Sequence, residues 1–412
     1  MVSITDRVAA PSLADVAGAI AQPAPTAVPT PAVAAGEREL RIDLFRGLAL
    51  WLIFIDHVSP DLLTWFTIRS YGFSDAAEIF IFISGYTAAF VYGRAMLGSG
   101  FLVASARVLR RVWQIYVAHV FIVIMLLAEI SFVTTSSANP FYSEEMRVLD
   151  FLKQPGVVLL QTLLLRFRPL NIDVLPLYVV LMFFLPVILL LMKWRADVTL
   201  ALSVALYALT WRYDWYLSAF PGGYWAFNPF AWQLLFVFGA WCALGGARRM
   251  SRILSSRVTL WTSIGYLFAA FCVTLTWDFP QLSFLVPRWL EQWMYPIDKT
   301  DLDVLRFAHF LALAAITVRF VPQGWPGLKS PWLRPMILCG QHSLEIFCLG
   351  LFLAFAGYSV LTESSTGPAL HFLVGILGIL IMSAVAWLNG WYKRTDGKIR
   401  IGINADIAGG GG

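Results

Sequence analysis

Ten residues separate Arg46 from His57 in the apolar segment LFRGLALWLIFIDHVSPDLLTWF. Eleven helical steps of 100° return the chain to within about 20° of its starting direction and raise it about 16 Å. A fixed cation and a titratable imidazole therefore share one face of one helix. Ionisable groups are costly in lipid and face a protein interior or a wet cavity, so His57, preceded by Asp56, marks a candidate site. An imidazole near neutrality can take a proton from a hydroxyl. The competing reading is a packing histidine with an arginine that snorkels to the interface.

Other polar groups sit where they could join this pair. On the same helix Asp43 and Arg46 can pair at i, i+3, and Gly47 lets another helix approach closely. In FSDAAEIFIFISGY, Ser74 or Asp75 can cap a helix whose positive end also favours Glu78. Glu78 lies one turn deeper, at a depth His57 could reach, and either it or Asp56 could orient the imidazole. Ser84, Gly85 and Tyr86 follow two turns further in. A later span carries Asp301, Asp303, Arg306 and His309, and another carries Gln341, His342, Ser343 and Glu345. A string of ionisable groups from one membrane face to the other suits a reaction whose two substrates arrive from opposite sides. It equally suits a proton-coupled transporter.

The elements that must position these residues are membrane helices. The chain has 412 residues, is 59% hydrophobic and only 13% charged, against roughly 25% charged in soluble domains. Its apolar runs are about 20 residues long and do not alternate, which implies an all-α polytopic membrane protein rather than a β-barrel. Ten spans are expected, near 46–66, 75–95, 112–134, 173–193, 197–213, 228–247, 257–277, 303–322, 336–358 and 367–391. With both termini in the cytoplasm, most of the 30 Lys and Arg fall on cytoplasmic segments, as the positive-inside rule requires. The net charge of +5 is thereby explained by the bilayer, with no nucleic-acid partner. The run 156–167 is too short to cross and reads as a re-entrant or interfacial helix.

Residues 1–37 are rich in Ala and Pro, lack the basic start and apolar core of a cleaved signal peptide, and read as a disordered cytoplasmic tail. Residues 38–394 form the membrane domain, and 395–412 a flexible cytoplasmic tail. The four cysteines fall inside apolar runs, without metal-ligand spacing, and no metal site is expected. Two outer loops are rich in aromatic residues, including Trp211, Trp215, Tyr224 and Trp225 in the first and Trp277, Trp289 and Trp293 in the second. They serve either as an aromatic belt or as a platform on which sugar rings stack.

The segments RIDLFRGLALWLIFIDH, GFSDAAEIFIFISGY, LPLYVVLMFFLP, FNPFAWQLLFVFG and GQHSLEIFCLG, with the arginines of 107–111 and Tyr116, resemble the OpgC family of membrane proteins. The resemblance runs from about 38 to 392. More distantly the chain is similar to the acyltransferase 3 superfamily of ten-span enzymes, departing from it at Gly350, where many members carry a histidine. The resemblance implies succinylation of osmoregulated periplasmic glucans in the bacterial inner membrane, alongside glucan biosynthesis proteins. It matches Arg46 and His57 to an essential pair, Ser84 to Tyr86 to a conserved segment, and Arg107, Arg110 and Arg111 to a cytoplasmic group. That group and Arg46 would hold the phosphates of acyl-CoA, a cosubstrate expected to be succinyl-CoA. No resident cofactor is expected.

The expected function is thus an O-acyltransferase with His57 as base and Asp56 or Glu78 orienting it. Ser84, Tyr86, Arg306, His309, Trp211 and Trp225 are the expected substrate-binding residues. The rival readings are a proton-coupled exporter of a glycan or acyl donor, and a scaffold in which His57 only packs.

Overall fold

A computed structural model describes residues 39–58, 62–136, 148–167, 169, 172–364 and 367–409. The expected tail at 1–37 lies outside these residues. Among those described, every named element is helical, and β pairing is confined to isolated bridges, Phe167 with Phe220 and Ser218 with Tyr224.

Helix α1 spans Leu40–Val58. It begins earlier and ends sooner than the apolar run suggested, so His57 lies in its last turn rather than midway. Pro60 follows in the sequence, where a proline disfavours continuation of a helix. A 3₁₀ turn, Leu63–Phe66, occupies the end of the expected first span, and a second, Ile68–Tyr71, lies in the connection beyond it. Helix α2 runs Ala76–Ser136 and breaks at Gly100, whose φ of 81° is open to glycine but strained for other residues. Short helices α3 (Val148–Lys153) and α4 (Pro155–Leu163) follow. Helix α5, Val174–Tyr213, breaks at Arg195. In each case two helices meet at a non-helical residue, and that residue lies between two expected spans, 75–95 and 112–134 at Gly100 and 173–193 and 197–213 at Arg195.

Helix α6 (Pro229–Trp241) is capped by the Asn228 side chain and continues through a π turn. Helices α7 (Arg257–Asp278), α8 (Val304–Phe320), α9 (Arg334–Gln341), α10 (Ser343–Glu363) and α11 (Pro368–Gly409) complete the chain. The ninth expected span is broken at His342, and α11 stays helical through 395–409, the stretch read as a flexible tail.

Among the described residues, six helices are long and apolar enough to cross a membrane: α2, α5, α6 with its continuation, α7, α10 and α11. α1 falls short of that measure because Arg41, Asp43, Arg46 and Asp56 lie on it, and α8 because it has 17 residues. The groups that make α1 interesting chemically are those that reduce its apolar character.

α1 is the central helix, packed against α2, α9, α10 and α11, while α2, α5 and α6 pack on one another. Two crossings are close enough to require glycine. A Cβ on Gly47 would fall on the Met336 carbonyl, and one on Gly340 would fall on the Asp43 carbonyl. Gly85 and Gly239 meet the carbonyls of Phe236 and Phe82 in the same reciprocal way. In an apolar solvent, close backbone approach of this kind drives helix association. Gly85, in a segment where glycine permits either close packing or a bound ligand, is a packing residue of the α2–α6 crossing.

Gly47→Ala is expected to cost about 1–3 kcal/mol, the usual penalty of overpacking. Gly265→Ala, where an added Cβ meets nothing within 4 Å, is expected to be neutral or slightly stabilising. Thermal melting of the detergent-purified variants measures both, and equal midpoints would remove the crossing argument.

Candidate active site

A cavity of about 630 Å³ opens where the last turn of α1 meets the first turns of α2, α5 and α8, Leu126 and Ile130 further along α2, and residues 347–358 of α10. Its charged lining is Asp56, His57, Arg69, Asp75, Asp173, Lys299 and Arg306. Phe73, Phe227, Trp277, Phe347 and Tyr358 supply aromatic wall.

The start of α2 builds one side. The Asp75 Oδ1 accepts from the Ala77 N–H at 2.8 Å, and the Glu78 Oε2 accepts from the Asp75 N–H at 2.9 Å. This is a capping box in which Asp75 takes the place usually held by Ser or Thr. The remaining carboxylate oxygens face cations. Arg306 reaches Glu78 Oε1 at 2.7 Å and Asp75 Oδ2 at 3.2 Å, and Lys299 reaches Asp75 Oδ2 at 2.6 Å. Glu78 is wholly buried, so its charge depends on Arg306. Arg306, not His57, is thus the observed partner of Glu78. Ser74 turns away from the cap, with its Oγ 2.7 Å from His309 Nδ1 and its N–H donating to the same nitrogen at 3.3 Å.

Lys299 is held by a loop that the neighbouring helices pin. Trp232 donates to the Lys299 and Thr300 carbonyls at 3.0 and 3.1 Å. Trp211 donates to the Asp301 carbonyl at 3.1 Å, and Tyr207 to the Leu302 carbonyl at 2.8 Å. The Asp301 carboxylate accepts from Asn228 Nδ2 at 2.8 Å and from Tyr216 OH at 2.5 Å. That bond, with some burial, pushes the Tyr216 phenol up from its ordinary value. Several of the loop aromatics therefore anchor a backbone turn, a role that composition does not distinguish from sugar stacking.

His57 is oriented by its own helix. Its Nδ1 lies 2.5 Å from the Ile53 carbonyl one turn earlier. A carbonyl oxygen only accepts, so Nδ1 carries the proton and the neutral ring keeps its lone pair on Nε2. No protein group bonds Nε2 among the described residues. Asp56, also cavity-lining, is nine-tenths buried, and its Oδ1 has no hydrogen-bond partner. The cavity thus offers a ring nitrogen able to accept a proton beside a carboxylate that the Thr67 side chain bonds and whose Oδ1 has no partner among the described residues.

The other expected residues lie elsewhere. Arg46 donates to Thr87 Oγ1 at 2.6 Å and ties α1 to α2. On the face between Arg46 and His57, Leu50 and Phe54 are buried to 2% and 1% exposure. Arg107 and Arg110 are exposed beyond the Gly100 break, and Arg111 donates to Gln114 Oε1 at 3.2 Å. None of these arginines lines the cavity, nor do Ser84, Tyr86, His309, Trp211 and Trp225. Trp225 and His309 are buried, the latter against Gly72 and the rings of Phe73 and Tyr266. Gly350 packs towards Met382. His342 meets Lys393, 3.3 Å away, in a separate polar group with Glu345. Of the expected catalytic and substrate residues, the cavity brings together His57, Asp56 and Arg306, with Glu78 directly behind Arg306.

Sequence reasoning missed Lys299, Arg69 and Asp173, and placed Trp277 among loop aromatics that serve either as a belt or as a sugar platform without naming it as a site residue. The sequence did hold one signal, the Asp-x-x-Glu capping pattern at 75–78, which needs a buried counter-charge if it starts inside the bundle. Arg306→Ala leaves two carboxylates without that charge and is expected to cost about 3–5 kcal/mol. A thermal midpoint matching the parent would show the network to be dispensable.

The chain matches the OpgC protein family over residues 38–394. No curated protein and no solved structure matches it. A match across nearly the whole chain, on an all-helical protein with several membrane-length helices, is decisive. The chain belongs to the OpgC family, membrane proteins of osmoregulated periplasmic glucan modification with a transferase role.

Proposed function

We propose that this protein is an O-acyltransferase that moves an acyl group, succinyl in the first instance, from a cytoplasmic acyl-CoA to hydroxyls of a periplasmic glucan. The observation that carries the reading is the Nδ1–H bond of His57 to Ile53, which leaves Nε2 as the basic atom in the cavity. The reading places ten spans in the bacterial inner membrane with both termini in the cytoplasm. The cavity then opens to the periplasm, and Arg46, Arg107, Arg110 and Arg111 lie towards the cytoplasm.

In the reaction, an acceptor hydroxyl in the cavity gives its proton to His57 Nε2 as its oxygen attacks the thioester carbonyl. The C–S bond breaks, the CoA thiolate leaves, and the imidazolium returns the proton to that thiolate. An ester and free CoA result. Trp277, on the cavity wall, is better placed than Trp211 or Trp225 to receive the apolar face of a sugar ring. The exposed arginines are suited to the phosphates of CoA, which fixed forked donors recognise well. Leu50 and Phe54 fill the face between the two regions, so the acyl chain reaches His57 only when these side chains move aside.

His57→Ala is expected to abolish acylation while the protein remains inserted, as read by mass spectrometry of periplasmic glucans. Loss of acyl mass increments with normal glucan abundance supports the enzyme. Retention of glucan inside the cell supports export instead, and normal substitution refutes His57 as the base. Arg110→Ala is expected to raise the KM for acyl-CoA several-fold and leave that for the glucan unchanged. Unchanged KM for acyl-CoA would remove Arg110 from the donor site.

A further inference from the structure

We propose that Asp56 binds a second hydroxyl of the acceptor sugar, next to the hydroxyl that His57 deprotonates, and so selects which position is acylated. The proposal rests on the acyltransferase reading and assigns within it the group that fixes the acceptor's orientation. Asp56 lines the cavity at the residue adjoining His57 and is nine-tenths buried; the Thr67 side chain bonds its carboxylate, but its Oδ1 has no hydrogen-bond partner among the described residues. Its neighbour Asp75 differs: one oxygen takes the Ala77 N–H and the other takes Lys299 and Arg306. Those cations are committed to Asp75 and Glu78, and His57 Nδ1 is committed to Ile53.

A buried carboxylate oxygen without a partner loses hydration and gains nothing in return. The missing group must be a donor, because an ionised carboxylate only accepts. A sugar ring presents such donors beside one another on adjacent carbons. With one hydroxyl at His57 Nε2, a neighbouring hydroxyl is the donor that the reacting molecule itself brings to the adjoining residue. Trp277 on the same wall offers the apolar surface that the ring's C–H face needs.

The test uses the full-length protein in nanodiscs with succinyl-CoA, methyl glucoside, and the series of its monodeoxy analogues. For the parent protein, removing the hydroxyl that meets Asp56 is expected to lower kcat/KM by about 10- to 100-fold, the range of one hydrogen bond to a charged group. In Asp56→Ala, kcat/KM for the intact acceptor is expected to fall by a similar factor, with no further loss on the deoxy analogue. The product of the intact acceptor is expected to become a mixture of positional esters. Asp56→Asn, which keeps an acceptor oxygen, is expected to lie between the two and serves where the alanine variant does not fold. Undiminished discrimination in either variant, or equal use of every deoxy analogue by the parent, overturns the proposal alone. Absence of transfer by the parent to any acceptor overturns the acyltransferase reading, and this inference with it.

Discussion

The ion-pair network of Asp75, Glu78, Lys299 and Arg306 is the constraint on which the site depends. A carboxylate as buried as Glu78 is tolerable only with a cation in contact and its other oxygen bonded. Both conditions are met, by Arg306 and by the Asp75 N–H. The consequence is geometric. The first turn of α2 cannot move without the first turn of α8, and neither can move without the loop that carries Lys299. Two stretches far apart in the chain, 75–78 and 299–306, are thereby locked around one opening.

His57 depends on that network only for its surroundings. Its tautomer comes from a bond inside α1, to the carbonyl four residues earlier. The Ile53 carbonyl is the acceptor that a helix pairs with the backbone N–H four residues on, here that of His57, so it takes the ring as a second donor through its other lone pair. The earlier end of α1 in the structure is therefore consequential. It moves His57 from the middle of a span to a terminus, where the helix can hold Nδ1 and a cavity can meet Nε2.

Close crossings at Gly47 with Gly340 and Gly85 with Gly239 fix how the helices around α1 and α2 pack. They leave the interior dense, with Phe80 stacked on Phe347 and Leu50 and Phe54 buried beneath the cavity. A wet pocket at one end and a packed centre follow from the same arrangement.

The all-helical class and the membrane-length segments were legible in the amino acids alone, and His57, Asp56 and Arg306, singled out there, line one cavity. Periodicity and the cost of charge in lipid are local properties, readable from composition and spacing. Which groups meet was not legible. Glu78 lay at a plausible depth for His57, yet Arg306, more than two hundred residues away, became its partner. Trp211 read as a sugar platform, yet its N–H holds a backbone carbonyl. Lys299 carried no spacing signal, because a loop residue acquires its meaning only from the helices that pin it. Pairing among buried charges is decided by three-dimensional proximity at a few ångströms. Only the packed structure supplies that.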